Sequence, residues 1–180
     1  MSIAMTVLCS LPMLLAISIP STFAQGSVPG GPFPLAKDVE TLDGIIKAYY
    51  EVVSAPAGQP KQVERDHSLH HSLARVAVTG KDKDGISFVK MMTLDEYYED
   101  NVVAEAGFFE KEIHRVTQKF GNIVHVWSTY EWRTEEKGPV GGRGINSIQL
   151  YHDGKRWWIT SWIYDSERED NPIPSEFLSQ

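Results

Sequence analysis

Between residues 38 and 54 apolar side chains recur at helical spacing, at Leu42, Ile45, Ile46, Tyr49, Val52 and Val53. Asp38 stands ahead of them as an N-cap, and Ala55-Pro56-Ala57-Gly58 stops the run, so the pattern predicts a first helix. Pro60, at a first helical position, opens a second and more polar helix from Lys61 to about Ser72. The period then shortens to two. Residues 74–79 and 86–92 alternate like strands on either side of the KDKDG turn. Thr93-Leu94-Asp95-Glu96 has the form of a capping box, and a third helix is expected from it to about Glu105, ending before Gly107. Two long hairpins complete the pattern. One runs from Phe108 to Arg133 about Gly121-Asn122, and the other from Arg143 to Asp165 about Asp153-Gly154, a dipeptide suited to a type I′ turn.

The order is α-α-β-β-α-β-β-β-β, which places helices on one side of an antiparallel or mixed sheet and defines an α+β class. In the last hairpin, counting outward from a two-residue turn sets Leu150 opposite Trp157, Ile148 opposite Ile159 and Asn146 opposite Ser161. That face, with Ile163, is expected to be concave. The opposite face carries Trp158, Trp162 and Tyr164, and with Trp127 it presents an aromatic surface too large to leave bare, so a homodimer through this face is expected. In the other hairpin the count pairs Thr117 with Val126, Arg115 with Ser128 and Ile113 with Tyr130 on one face. On its reverse it pairs Gln118 with His125, His114 with Thr129 and Glu112 with Glu131.

The beginning of the chain changes the picture of where this domain works. From Ile3 to Ile19 the sequence is nearly all apolar and uncharged, and Ser21-Thr22-Phe23-Ala24 ends it with small residues. A signal peptide over 1–24 is expected, followed by a Gly/Pro-rich linker over 25–35, a domain over 36–168 and a tail over 169–180. The product would be exported, periplasmic or secreted, with no stable membrane span because Pro12 and Pro20 interrupt the run. Cys9 is the one cysteine and lies in the leader, so no disulfide is expected in the domain. A net charge of −7 without a basic stripe argues against nucleic acid.

The element order, together with EIHR, FGNIVHVWSTYE, RGINSIQL, DGKRWW and DNPIP, resembles the nuclear transport factor 2-like superfamily and, within it, SnoaL-like proteins. The resemblance spans Leu35 to Ser166. It implies a cystatin-like cone of three helices wrapped by a strongly curved sheet, with a small-molecule cavity between the first helix and the concave face. Members include ketosteroid isomerases, dehydratases, cyclases and non-catalytic binding modules, so it implies no single reaction.

Two constellations follow, one for each way the 108–133 hairpin can face. If the Val124/Val126 face is concave, Arg115, Ser128, Tyr130, Asn146 and Ser161 join Tyr49 and Tyr50 around the cavity as hydrogen-bond donors for a carbonyl or carboxylate. The family resemblance adds a first-helix tyrosine as an oxyanion donor. If the reverse face is concave, His114, His125 and Glu112 lie together with Glu131 as a histidine–carboxylate acid–base set, such as a lyase, isomerase or cyclase needs. His67, His70 and His71 share one stretch of the second helix with Asp66 and Glu64, but a lone helical cluster is more often solvated than metal-bound. No metal and no cofactor is expected. The competing reading is a non-catalytic ligand-binding or dimeric assembly module.

Overall fold

A computed structural model describes residues 32–179. The leader, its cleavage point and most of the linker expected from the sequence lie outside the described residues. A short helix α1 (Ala36–Val39) precedes α2 (Leu42–Val53). The cap of α2 is Thr41, whose hydroxyl accepts from the Gly44 N–H, and not Asp38. Asp38 is drawn inward instead, because Arg65 grips both of its carboxylate oxygens at 2.7 and 2.8 Å in a buried fork and holds Glu51 as well.

Pro60 starts no helix. With Gln59 it forms strand β1 (Gln59–Pro60), which pairs with β4 (Val103–Ala104). The second helix is correspondingly short, α3 (Val63–Leu69), and gives way at His70 to a long strand β2 (His70–Lys81). Strand β3 (Ser87–Met92) follows, and then α4 (Leu94–Tyr98) with the expected capping box at Thr93 and Glu96. This helix stops well before Glu105. Four long strands come next, β5 (Phe109–Phe120), β6 (Ile123–Arg133), β7 (Gly142–His152) and β8 (Trp157–Ser166), with a final single turn at Ser175–Phe177.

Six of these strands form one mixed sheet in the order β3-β2-β8-β7-β6-β5. Only the β2–β8 contact is parallel. Helix α2 lies inside the curve. Its Ile45, Ile46, Tyr49 and Val52 pack against Val126, Ile148, Leu150 and Ile159 of the sheet in a continuous buried core. A core built from one helix stripe and one sheet face is what holds the cone together.

Two bulges set the directions of the side chains that matter. In β5 the register slips at Ile113, so Glu112 pairs with Tyr130 rather than Glu131. Glu112 and Glu110 therefore turn to the face of Ser128, away from His114 and His125. In β8 the register slips at Thr160, and the hairpin closes around 153–156 rather than two residues. Gly154 has φ 94° and Asp153 no positive φ, which rules out the expected type I′ turn. The Asp153 side chain accepts from the Lys155 and Arg156 N–H groups instead.

The expected pairings of the last hairpin are thus shifted: Leu150 faces Ile159, Ile148 faces Trp162 and Asn146 faces Tyr164. Beyond the bulge Trp162 and Tyr164 point inward, while Ser161 and Ile163 point outward. Trp162 is 5% exposed, so it belongs to the core and cannot form a dimer surface. Trp158 does lie outside, under the Arg156 guanidinium at 3.7 Å. Trp127 lies outside too, but the last residues fold over it: Phe177 packs on its ring at 5.7 Å and accepts from the Thr129 hydroxyl through its carbonyl at 2.6 Å. The segment expected as a tail over 169–180 thus packs on the outer face of the sheet through Phe177, and the Ser179 hydroxyl donates to the Ile113 carbonyl at 3.2 Å.

Candidate functional site

It is the Val124/Val126 face of β6 that lines the inside of the cone, and it carries Ser128 and Tyr130 inward with it. Across the core, α2 presents Tyr49 and Tyr50 on adjacent positions, and β7 presents Asn146. These groups form one directed chain. Tyr49 donates to Asn146 Oδ1 at 3.2 Å, and Asn146 Nδ2 donates to the Tyr50 oxygen at 3.1 Å. Ser128 gives its one hydroxyl hydrogen to Glu112 Oε1 at 2.5 Å, so Tyr50 donates its own hydrogen to Ser128 Oγ at 2.7 Å. Arg115 holds Glu112 through two nitrogens and reaches Asp43, so the chain ends on an ion pair at the surface.

Behind this chain lies a cavity of about 130 Å³. Tyr49, Asn146, Tyr130, Tyr164, Tyr97, Trp162, Phe108 and Trp132 line it. Two acids complete the wall, Glu110 and Asp66. The volume is that of about four waters, at roughly 30 Å³ each, and below the roughly 300–1,000 Å³ of sites for larger ligands, so it accepts a compact molecule or one end of a larger one.

Glu110 is the residue whose state decides the chemistry. The end of α2 pins its backbone, since Ser54 Oγ accepts from the Glu110 N–H at 3.0 Å. It keeps partial exposure because it borders the cavity on one side and, on the other, a groove of about 590 Å³ beside α2. Packed protein still surrounds its carboxyl, and that burial pushes its pKa up to about 7. The Asn146 amide, 3.5 Å away, and the Lys61 ammonium oppose the rise without cancelling it. Glu110 therefore holds its proton well above the usual carboxylate range. Burial raises Tyr97, Tyr130 and Tyr164 above the ordinary phenol value, with Glu110 adding to the effect, so all three remain hydroxyl donors.

The opposite wall is built from α3 and α4. Tyr98 donates to Asp66 Oδ2 at 2.7 Å. His70 sits one turn on from Asp66, with Nδ1 2.9 Å from the Asp66 carbonyl and Nε2 accepting the Trp162 indole N–H at 3.1 Å. Because indole only donates, the His70 proton is on Nδ1 and the ring is neutral. The second Asp66 oxygen, Oδ1, is buried without a hydrogen bond of good geometry but lies 3.3 Å from His70 Nδ1.

Of the residues expected from sequence, Tyr49, Tyr130 and Asn146 line the cavity, and Tyr50 and Ser128 sit directly behind it. Arg115 lies in the outer groove. Ser161 is on the outer face, paired with Gln149. Glu112, His114 and His125 do not meet: Glu112 faces Ser128, whereas His125 is on the outer face against Ser147 and Trp127. The helical histidines also part, with His67 on Asp95, His70 turned inward and His71 against Tyr151 and Trp158. Sequence reasoning missed Glu110, Asp66, Tyr97 and Trp162. For Asp66 a signal existed, its i, i+4 spacing to His70.

No family model and no curated protein sequence matches the chain. Among solved structures it is similar to a nuclear transport factor 2-like protein of unknown function from Shewanella baltica, at 11% identity over 68% of this chain and 86% of that one, with a TM-score of 0.46. A protein with a cystatin-like fold from Nostoc punctiforme overlaps 59% of this chain and 77% of its own at 12% identity and a TM-score of 0.45. A further nuclear transport factor 2-like protein, from Methylobacillus flagellatus, overlaps 71% and 95% at 13% identity and a TM-score of 0.45. These likenesses concern the fold alone. With its helices laid inside a curved, mixed sheet of order β3-β2-β8-β7-β6-β5, the chain is similar in outline to these nuclear transport factor 2-like and cystatin-like structures.

Proposed function

We propose that the cavity is the binding site of a small molecule and that Glu110 exchanges a proton with it, which makes the domain an acid–base enzyme of the lyase, isomerase or cyclase kind. The observation that carries this reading is a carboxyl group on the cavity wall whose pKa is pushed up to about 7. A general acid or base works best when its pKa matches the working pH, and a structural carboxylate gains nothing from such a position. His114 and His125 have no path to this cavity, so the proton carrier is assigned to Glu110. Tyr97, Tyr130 and Tyr164 supply hydroxyls that can steady a developing oxyanion.

A thermal-shift screen of small molecules against the wild type and Glu110→Gln, with product analysis of every hit, tests this reading. Hits that the wild type converts and the variant binds unchanged support it. Hits bound and never converted would leave a binding module, and an absence of hits in this cavity would remove the site.

The assembly reading keeps one observation of its own. On the outer face Phe120, 83% exposed, and Ile123, 59% exposed, border a groove of about 580 Å³ with His125 and Tyr151. A homodimer through that end of the sheet predicts that Phe120→Glu lowers the molar mass seen by light scattering to that of one chain; a wild type already monomeric at micromolar concentration rules it out. Export after Ala24 belongs to the same proposal, and an intact mass of exported protein starting at Met1 would refute it.

A further inference from the structure

At the end of the sheet where the β5–β6 and β7–β8 turns lie side by side, an apolar and aromatic row crosses the outer face from strand to strand. Phe120 faces Ile123, Ile123 faces Tyr151, and Tyr151 faces Trp158. His71 of β2 continues the row, edge-on to Tyr151 and Trp158 at 6.2 and 6.1 Å. The two turns are tied together where the His152 N–H donates to the Asn122 carbonyl at 2.8 Å. Phe120 and Ile123 stand out into water, and so does Leu73, two residues beyond His71. Tyr151 and Trp158 are half-buried.

The charges around this row are of one sign. Lys119 adjoins Phe120, Lys155 and Arg156 lie in the neighbouring turn, and the Arg156 guanidinium covers Trp158. Over residues 70–81, 113–130 and 144–164, the strands and turns around the row, Asp153 is the one acid. It is already engaged, by the Trp158 indole at 2.8 Å and by the Lys155 and Arg156 N–H groups. In a chain of net charge −7 this end is a basic island.

We propose that this end of the sheet docks on an anionic lipid surface, with Phe120 and Ile123 entering the headgroup region, Tyr151 and Trp158 at the boundary, and Lys119, Lys155 and Arg156 against the phosphates. The site shares no residue with the cavity, and the proposal stands apart from the reading of it. Apolar groups that project from a turn gain by entering a fluid apolar layer, which needs no matching pocket. Tyr and Trp, apolar bodies with one polar end, settle where that layer meets water. Lysine and arginine gain from the negative potential of the surface. A second copy answers these charges less well, because two-fold pairing sets a patch on itself and brings this basic set against its own copy.

Sedimentation with vesicles tests the assignment, using phosphatidylcholine alone and phosphatidylcholine mixed equally with phosphatidylglycerol. The chain from Gln25 onward is used, since it keeps every described residue and leaves out the apolar stretch at 3–19, which would partition by itself. Wild type is expected to sediment with the mixed vesicles, not with phosphatidylcholine alone, and to be released as salt approaches molar strength. Phe120→Ser should weaken the partition about tenfold. Lys119→Gln combined with Lys155→Gln should weaken it roughly twentyfold. Both variants alter exposed side chains, so their far-ultraviolet dichroism should match wild type. Equal sedimentation with both vesicles, or variants that sediment like wild type, would overturn the proposal. Sedimentation with neither vesicle would overturn it too, and a wild type then found dimeric by light scattering, with Phe120→Ser monomeric, would give the patch to a second copy.

Discussion

Replacing Glu110 by Gln should make the protein more stable at neutral pH and change the way its stability depends on pH. The sign follows from the direction of the shift. A carboxyl whose pKa rises on folding from 4.5 to about 7 binds its proton more tightly in the folded state, so its contribution is fully present below pH 4.5 and is lost as pH rises through 7. At about 1.4 kcal/mol per tenfold change in proton affinity, that span corresponds to about 3 kcal/mol, and water entering the cavity would reduce it. Glutamine has the same shape, can still accept from Asn146 and does not ionise. The assay is urea unfolding followed by tryptophan fluorescence at pH 5, 6, 7 and 8 for both proteins. The stability of the variant relative to wild type should climb by about 2–3 kcal/mol across that range. Parallel curves would mean that Glu110 ionises in the fold as it does in water, and the reasoning from burial would fail.

Other substitutions test the frame around the site. Trp162→Glu should abolish the folded far-ultraviolet dichroism and not simply split an assembly, because a charge at this buried position meets aromatic rings and the His70 nitrogen loses the indole N–H it accepts from, a cost above about 4 kcal/mol. Arg65→Met should cost about 3–5 kcal/mol in urea unfolding by stranding Asp38, and adding Asp38→Leu should recover much of that loss. Gly144→Ala should lower both thermal stability and binding of any cavity ligand, since a Cβ there collides with the Tyr130 hydroxyl and the Asp165 carbonyl; an unchanged melting temperature would show that these neighbours yield freely.

The overall architecture was readable in the chain because it depends on periods. The α2 stripe, the Thr93 capping box and the four long strands all announce themselves by spacing, and together they give helices on one side of a sheet; its curvature around them was implied by the family resemblance alone. The Gly121-Asn122 turn also kept its register, with Phe120 facing Ile123 across two residues. What could not be read was parity beyond a bulge. One additional residue at Ile113 moved Glu112 and Glu110 to the inner face, and one at Thr160 moved Trp162 and Tyr164 inward and Ser161 outward. Neither position carries a glycine or proline to mark it. Asp38 escaped for a different reason: it has the chemistry of a cap, but a buried arginine 27 residues away outcompetes the local hydrogen bond. Tyr130 and Asn146 kept their faces because they lie on β6 and β7, the strands opposite the additional residues, and Tyr49 lies on the helix.

The claim on which the rest depends is that Glu110 carries its proton at near-neutral pH inside the cone. Carbon-13 NMR of the glutamate side-chain carboxyls, with Glu110→Gln used to assign the resonance, measures this directly. The account predicts a midpoint near 7 for Glu110; a midpoint near 4.5 would contradict it, leaving a solvated carboxylate where the mechanism needs an acid.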